Sequence, residues 1–462
     1  MSFRLPRRTF VSMAAAGALT PGLSMAQDLS DPVERALYDQ LFGDEVSFLA
    51  AMEFLQQRND PDVAAALIMS MRFAGRRSPA QAMVLAALTG ENFGTDWYAW
   101  MLWQEAHPEI KPHPFYAQLM RDTHLRIDPH FDRFLQVEEM TAGKPKIRIE
   151  EIVWGGVVKD GIPSLDNPEL IEAEQADYMR GDDLVFGVSI NGDSRAYPLR
   201  IMGWHEMFNE VIGGVPVALA YCTLCGSGIL FETQVEGRAE PLIFGSSGFL
   251  YRSNKLMFDR ETHSLWNQFT GRPVMGPLVD SGIALTQRPV VITTWDNWTA
   301  GNPTTRVLSL NTGYRRNYAS GEVYKEYFAS PDLMFPALVD QSEHAQKDHV
   351  FTIRAFGAAR AWPLKAFADA PVINDRIAGT DLVLLGDPAA RAVRAYERQG
   401  QVFDPSADGA SDLVDGQGRI WSVTEEALIG PGGSTLPRVA GHIAYWFAWN
   451  NYLGDAASVY PD

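Results

Sequence analysis

An internal repeat at constant spacing is the feature that most constrains the fold of this chain. Two segments carry the same landmark residues in the same order, and each landmark lies 165 residues after its counterpart, as Arg360 does after Arg195. The matched landmarks are Val185-Phe186 with Val350-Phe351, Gly192 with Gly357, Pro198-Leu199 with Pro363-Leu364, Asn209 with Asn374, Ile212 with Ile377 and Gly214 with Gly379. Because the match runs without a gap through so many positions, it predicts two copies of one structural unit.

Each copy also has a readable local pattern. In the first copy, residues 185–190 form an apolar run typical of a strand, and Asn191-Gly192 is typical of a type I′ hairpin turn that leads into a return strand. Residues 200–212 then follow helical spacing, and two glycines predict the end of that helix. A buried-looking strand follows, so the copies are predicted to be rich in β-structure.

Ahead of the repeat, residues 30–135 are predicted to be helical, because segments rich in Ala, Leu and Met begin after the capping sequences Asp60-Pro61 and Ser78-Pro79. The predicted fold class is therefore α+β: an N-terminal α-helical domain followed by a β-rich body made of two tandem pseudo-symmetric copies. The predicted domains are an export signal at 1–26, a helical domain at 27–146, a first β-rich copy carrying the candidate site at 147–312, and a linker with a second copy lacking the site at 313–462.

The N-terminal segment has the pattern of an export signal. Arg7-Arg8 precede a mildly apolar run, and Ser24-Met25-Ala26 is a small-x-small cleavage pattern. We expect export by the twin-arginine route and a periplasmic protein; the alternative is an ordinary secretory signal that carries two arginines. The twin-arginine pattern resembles a route for proteins that fold before export, which would suit a tightly held cofactor.

Composition excludes several classes of partner. The chain has 462 residues, with 39 Lys and Arg against 57 Asp and Glu, and a formal net charge of −18. An acidic surface repels phosphate backbones and anionic lipids, so no nucleic-acid partner is expected. After the signal, no stretch reaches the roughly 18 apolar residues that a membrane span needs, so none is expected in the mature chain. A protein partner is expected, if any, at the helical domain.

Residues present in one copy only are the candidates for chemistry. The first-copy residues and their counterparts are His205 with Ala370, Glu206 with Pro371, Cys222 with Asp387 and Cys225 with Ala390. The two cysteines are also the only ones in the chain. Soft and polar side chains therefore collect in the first copy, where the candidate site is expected.

His205, Cys222 and Cys225 form a His-x16-Cys-x2-Cys pattern. Two thiolates and an imidazole suit copper, iron or zinc, and three protein ligands leave a coordination position open for a small-molecule substrate. Glu206 is then the expected neighbouring acid/base. Two alternatives use the cysteines without metal: a plain disulfide, because the periplasm is oxidising, or a dithiol that exchanges with other thiols.

The segment after the cysteines supplies further candidates. Asp259 and Trp266 have counterparts in the second copy, so a structural role is expected for both. Glu261, His263 and Gln268 have none. Glu261 and Gln268 are therefore proposed as catalytic or supporting residues, the alternative for Glu261 and His263 being a charged exposed turn.

Several of these motifs together resemble a large bacterial and archaeal family that is defined only as a domain of unknown function. The motifs are Trp204-His205-Glu206, Tyr221-Cys222-x-x-Cys225-Gly226, Phe244-Gly245-x-Ser247-Gly248-x-Leu250-Tyr251 and Asp259-Arg260-x-Thr262-x-Ser264-x-Trp266-x-Gln268. The resemblance is strong over 152–307 and weaker in the second copy. One departure is Thr223, where proline is more usual, a change expected to loosen the cysteine turn. The resemblance supports the location of the site and implies no reaction.

The leading functional hypothesis is an exported metal-binding protein, an oxidoreductase that uses a metal held by Cys222, Cys225 and His205 on a small substrate. The first alternative is a non-enzymatic periplasmic protein that binds a metal or a partner. The second is a thiol–disulfide exchange protein, which needs both cysteines but tolerates the loss of His205.

Overall fold

The structure is a computed structural model that describes residues 29–141, 143–406, 412–453 and 457–461. The expected export signal at 1–26 lies outside the described residues. The chain divides into two compact units, Met1–Gly161 with Ser247–Phe249, and Ile162–Ser246 with Leu250–Asp462. The division lies C-terminal to the boundary at residue 146 that the sequence suggested.

The first unit is helical, as predicted. Its elements are α1 (Pro32–Phe42), α2 (Glu45–Gln56), α3 (Ala64–Met71), α4 (Ser78–Thr89), α5 (Trp97–Ala106), α6 (Tyr116–Leu125), α7 (Val137–Met140) and the short strand β1 (Ile152–Trp154). Helices α1, α2 and α5 each begin after an aspartate, Asp31, Asp44 and Asp96, whose carboxylate accepts backbone N–H groups of the first turn. Fully buried leucines such as Leu37 and Leu67 form the core of the unit. Among the described residues, no helix combines the length and hydropathy needed to cross a bilayer.

The second unit is rich in β-structure. Its elements up to the middle of the chain are β2 (Leu165–Asp166), β3 (Leu170–Glu172), β4 (Leu184–Ile190), β5 (Asp193–Pro198), α8 (Leu199–His205), β6 (Met207–Ile212), β7 (Val215–Cys222), β8 (Ser227–Glu232), β9 (Phe244–Tyr251), β10 (Asn254–Asp259), β11 (Leu265–Asn267), β12 (Arg272–Met275), β13 (Gln287–Arg288), β14 (Val291–Thr294), α9 (Trp295–Gly301) and β15 (Arg306–Leu308). A helical region followed by a β-rich body confirms the coarse fold prediction.

The remaining elements are α10 (Lys325–Ala329), β16 (His349–Ala355), β17 (Ala358–Pro363), α11 (Ala366–Asp369), β18 (Val372–Ile377), β19 (Thr380–Asp387), β20 (Ala392–Glu397), β21 (Phe403–Pro405), β22 (Leu413–Asp415), β23 (Ile420–Val423), β24 (Ala427–Ile429), β25 (Thr435–Val439), β26 (His442–Tyr445), α12 (Trp446–Leu453) and β27 (Ser458–Val459). One sheet has the order β13-β8-β7-β6-β2, and another has the order β14-β4-β5-β15-β3. Strands β16 and β17 lie between β26 and β27, whereas β18, β19 and β20 belong to an eight-stranded sheet.

Five consecutive strands recur in the second half of the unit. Each strand from β16 to β20 begins and ends 165 residues after its counterpart from β4 to β8. The flanking strands also correspond: β4 and β16 pair antiparallel with β14 and β26, and β5 and β17 pair parallel with β15 and β27. We call β4–β8 the first strand set and β16–β20 the second strand set. The duplication of the chain itself stays a prediction.

The helix predicted over 200–212 is correct only in its first half. Helix α8 ends at His205, because Glu206 adopts a left-handed backbone (φ 54°), and the chain continues as β6. Strand β6 pairs with β7 through a two-residue turn. The apolar spacing suited either structure, and pairing with β7 decides for the strand. Val211, which helical spacing would place on one face with Phe208, is exposed as a result. The Asn191-Gly192 turn, in contrast, has both φ values positive, as a type I′ turn requires.

Several residues shared by the two halves make equivalent structural contacts. The Asn209 side chain bonds both backbone groups of Phe244, and the Asn374 side chain bonds both backbone groups of Phe403. A second shared contact is the hydrogen bond from a tryptophan indole to an aspartate carboxylate, at 3.0 Å in each half: Trp266 to Asp259 and Trp421 to Asp415. These contacts explain why both halves carry the same residues, and they require no chemical role for them.

We predict that Asn209→Ala and Asn374→Ala each lower the free energy of unfolding by about 1–3 kcal/mol, because each leaves a backbone N–H and a carbonyl without their partner. Chemical denaturation of the two variants measures the effect. Asn297→Ala, on the exposed face of α9, is the control and should change stability by less than about 0.5 kcal/mol. Unchanged stability of both Asn209→Ala and Asn374→Ala would contradict a structural role.

Candidate functional site

The two cysteines lie at a tight turn between strands β7 and β8. Cys222 ends β7, and the Cys225 N–H donates to the Cys222 carbonyl at 3.2 Å. Gly226 closes the turn with a positive φ of 62°. The cysteines form a disulfide, with their Cα atoms 5.2 Å apart, and both residues are buried. The structure therefore holds the pair in the oxidised state.

Glu206 binds this turn through a threonine. The Thr223 hydroxyl, between the two cysteines, donates to Glu206 Oε1 at 2.8 Å. Lys255 Nζ on β10 donates to Glu206 Oε2 at 3.0 Å, and the Tyr324 hydroxyl donates to Oε1 at 3.3 Å. Glu206 and Lys255 are both buried, so this is a desolvated ion pair with additional hydrogen bonds. The Thr223 hydroxyl anchors the turn to Glu206, and the expectation that threonine in place of proline loosens the turn stays a prediction.

His205 faces different partners from those of its neighbour Glu206. Its Nδ1 lies 2.9 Å from the Pro163 carbonyl, and its Nε2 lies 2.6 Å from the Tyr318 hydroxyl. Because a carbonyl only accepts hydrogen bonds, Nδ1 carries the proton and Nε2 accepts from Tyr318. Burial lowers the pKa of His205, which keeps the ring neutral. Both ring nitrogens are thus satisfied by protein groups.

The expected metal ligands do not fit a metal ion in this state. The sulfurs of Cys222 and Cys225 are bonded to each other and supply no thiolate, and the one unprotonated nitrogen of His205 accepts from Tyr318. Within the described part of the chain, no group of three or more His, Cys, Asp or Glu side chains is placed to hold a metal ion. Copper, iron or zinc binding therefore stays a prediction that would require both a reduced pair and a rearranged His205.

The other two proposed catalytic residues have different surroundings. Gln268 is fully buried, and its Nε2 donates to the carbonyls of Ala220 at 2.7 Å and Ser227 at 3.0 Å. These carbonyls flank the cysteine turn on β7 and β8, so Gln268 ties the two strands together. Glu261 lies on an exposed turn and forms an ion pair with Arg238, which matches the alternative expected for it.

Three tyrosines of the predicted linker contact the site. Tyr318 bonds His205, and Tyr324 bonds Glu206. The Tyr327 hydroxyl donates to the carbonyl of Leu224, inside the cysteine turn, at 2.6 Å. We call residues 318–327 the tyrosine segment. It binds the site at three separate points and so does more than connect the two strand sets.

A cavity of about 450 Å³ adjoins the cysteine turn. Tyr221 and Gly226, which flank the turn in sequence, line it from the first strand set. His349, Arg391 and Tyr445 line it from the second half of the unit. The cavity thus lies where the two halves meet, and its volume is in the range of small-molecule sites.

Sequence reasoning missed Lys255 and the tyrosine segment. A signal existed for Lys255, which directly precedes the apolar run Leu256-Met257-Phe258, because a charge that enters a buried strand needs a partner. Its partner Glu206 lies far away in sequence, so only the fold could identify the pair. The tyrosines carried no spacing that distinguishes site residues from core residues.

One family model matches the chain over residues 159–456, and its description is a protein of unknown function (DUF3179). This confirms the resemblance to an uncharacterised family, and the match includes both strand sets. Searches among curated proteins and among solved structures found no match.

We predict that Glu206→Gln and Lys255→Met each lower the free energy of unfolding by about 3–5 kcal/mol, because each leaves the partner charge buried and unpaired. The double variant should lose less than the sum of the single changes. A double-mutant cycle by chemical denaturation measures the coupling. The Arg376–Asp381 pair, whose arginine is exposed, is the control, with an expected coupling below about 1 kcal/mol. Additive losses at Glu206 and Lys255 would refute the ion pair.

Burial of His205 also predicts a pH dependence. Its pKa is lowered in the folded state, whereas in the unfolded chain a histidine binds a proton below about pH 6.5. The free energy of unfolding should therefore fall as the pH drops through that value, and the fall should be smaller in His205→Gln. Denaturation at pH 8 and pH 5 measures both. An equal fall in parent and variant would show that His205 is not held neutral.

Proposed function

The chain belongs to the DUF3179 family of proteins of unknown function, and on that premise we propose that it is an exported thiol–disulfide redox protein. The reacting group is the Cys222–Cys225 pair. The observation that carries this proposal is that the only two cysteines of the chain form a disulfide in a turn anchored to the buried Glu206–Lys255 ion pair. This favours the exchange alternative over the metal-dependent oxidoreductase.

The reaction is a two-electron exchange with a thiol. A thiolate of the reducing partner attacks one sulfur, forms a mixed disulfide and breaks the Cys222–Cys225 bond, so that the other sulfur leaves as a thiolate. A second thiolate, from the same partner or from a second molecule of a monothiol, attacks the partner's sulfur in the mixed disulfide and releases the remaining cysteine. The partner leaves as a disulfide with the loss of two electrons, and the two cysteines take up the two protons that the partner thiols released. The reverse sequence reduces a partner disulfide.

The surroundings of the two sulfurs suggest different roles for them. Cys225 Sγ lies 3.7 Å from the carbonyl oxygen of Ser253, and Cys225 is completely buried. A carbonyl accepts a hydrogen bond from a thiol but repels a thiolate, so a reduced Cys225 would keep its proton. Cys222 retains a little exposed surface and is the better candidate for the attacking or attacked sulfur.

Glu206 has a positioning role in this proposal. Its carboxylate fixes Thr223, and through Thr223 it fixes the turn that carries both sulfurs. Gln268 acts from the other side by joining the two strands at the ends of the turn. Both residues limit how far the sulfurs separate after reduction, which favours re-formation of the disulfide.

Export is part of the proposal. The twin-arginine pattern at Arg7-Arg8 would direct the chain to the periplasm, where disulfides form and persist. Because the surroundings are oxidising, the disulfide persists in that compartment, and a dedicated thiol must reduce it before the pair can react again.

A second candidate role is a structural staple. It is favoured by the burial of both cysteines, since a disulfide without access to other thiols does not exchange. A pair buried in this way can exchange only if a conformational change exposes one of its sulfurs to the other thiol. The two roles differ in the potential at which the folded protein is reduced.

The test is equilibration of the purified protein in thiol–disulfide buffers of increasing reducing strength, with free thiols trapped by a maleimide. Reversible reduction of the folded protein at a potential above about −300 mV is expected for an exchanging pair. Thr223→Val, which removes the hydroxyl that binds Glu206, should shift that potential, and Thr299→Val on α9 should not. A pair that stays oxidised below about −300 mV until the protein unfolds would identify a staple.

A further inference from the structure

Two equivalent turns meet at the cavity beside the disulfide. The cysteine turn lies between β7 and β8 of the first strand set, and its counterpart lies between β19 and β20 of the second strand set. The last residues of the two turns, Gly226 and Arg391, are 165 residues apart, and both line the cavity. Both have positive φ values, 62° and 53°. One turn thus supplies the sulfurs, and the other supplies a guanidinium at the corresponding position.

Gly226 allows the cavity wall to approach the cysteine turn. A Cβ at this position would lie 3.2 Å from the ring of Tyr445, which is closer than ordinary van der Waals contact. The Tyr445 backbone N–H also donates to the Cys225 carbonyl at 2.7 Å. Gly226, the last residue of the cysteine turn, therefore lines the cavity, and the turn is bonded to Tyr445 of the opposite wall.

Most charges that line the cavity are already paired. Asp183 and Arg200 bind each other at 3.0 Å. Lys325 lies 3.6 Å from Glu322. Two of the lining charges, Asp182 and Arg391, have no ion pair within the described residues, and both are exposed to solvent.

Neutral hydrogen-bonding groups accompany these two charges. Burial raises the pKa of Tyr221 and of Tyr445, so both phenols remain protonated donors. Burial and the charge of Arg391 lower the pKa of His349 to about 4, so this ring is neutral at pH 7. Arg391 lines the same cavity as these three groups. The cavity therefore offers an unpaired carboxylate, an unpaired guanidinium and uncharged hydrogen-bond donors.

We propose that this cavity binds the small thiol or disulfide that exchanges with Cys222–Cys225, and that the ligand is a zwitterion with one carboxylate and one ammonium group. Arg391 binds the carboxylate, and Asp182 binds the ammonium. The inference rests on the proposed redox function, since it names the substrate class of the same site. An amino-acid thiol or a short peptide thiol has this chemistry and fits a volume of about 450 Å³.

The experiment compares four small thiols: cysteine carries both a carboxylate and an ammonium group, 3-mercaptopropionate only the carboxylate, cysteamine only the ammonium, and 2-mercaptoethanol neither. The rate of reduction of the disulfide is measured for each and divided by the thiolate concentration, because only the thiolate reacts. In the parent protein, cysteine is expected to react fastest. Arg391→Gln should slow cysteine and 3-mercaptopropionate about tenfold, because a charge-assisted hydrogen bond is lost, and leave the other two within about twofold.

Asp182→Asn should show the complementary pattern, slowing cysteine and cysteamine about tenfold and sparing the other two thiols. Arg376→Gln is the matched control, because it removes the same charge from an exposed arginine that does not line the cavity. Equal rates in parent and variants, or an equal loss with all four thiols, would overturn the proposal.

A further measurement separates the cavity from the redox reaction. If none of the four thiols reduces the folded parent protein, the proposed function fails, and S-methylcysteine, which has no thiol, tests the cavity alone by calorimetry. Saturable binding that weakens about tenfold in both Arg391→Gln and Asp182→Asn would support the zwitterion site. Absence of binding, or binding unchanged in the variants, would overturn it.

Discussion

The left-handed backbone of Glu206 is the constraint on which the arrangement of the site depends. It ends helix α8 and turns the chain directly into β6, so two adjacent residues enter different networks. His205 binds Pro163 and Tyr318, whereas Glu206 binds the cysteine turn and Lys255. A residue other than glycine in this conformation costs free energy, which the several hydrogen bonds of the Glu206 carboxylate and backbone offset. Without the turn at Glu206, neither network would form.

The Glu206–Lys255 pair shows how a buried charge is accommodated in a β-rich core. Removing two charges from water costs several kcal/mol per ion, and the mutual attraction compensates only with good geometry and additional hydrogen bonds. Here the carboxylate accepts from Lys255, Thr223 and Tyr324, and the ammonium also lies 3.4 Å from the Glu206 carbonyl. Glu206 and its three partners come from four separate segments, so the pair fixes their relative positions as well as the charge balance.

The sequence predicted what depends on local pattern and on the repeat, and missed what depends on distant pairing. The turn at Asn191-Gly192 and the structural role of Trp266 followed from residue type and from comparison of the two halves. The helix over 200–212 was half wrong because the same apolar spacing serves a strand once a neighbouring strand is available. The role of Lys255 could not be predicted, since its partner is distant in sequence.

Sequence pointed to some residues of the candidate site and grouped one of them with the wrong neighbours. Sequence directed attention to the cysteine turn and to Glu206, which the structure joins through Thr223. It also grouped His205 with the cysteines, because residue type and spacing favour a metal site. Spacing says nothing of the direction in which a side chain points, and the structure satisfies both ring nitrogens of His205 elsewhere.

The tyrosine segment has a kinetic consequence for any reagent that approaches the disulfide. Tyr327 bonds the Leu224 carbonyl inside the cysteine turn, and Tyr324 bonds Glu206, which also binds Thr223 of the turn, so the segment and the turn are held together at two points. If the buried pair exchanges only after this segment opens, the opening and not the chemical step becomes the slow event at high concentrations of reagent. The reactivity of the pair then depends on the connection between the two halves, and a ligand or partner that loosens that connection would act as a switch without touching either sulfur.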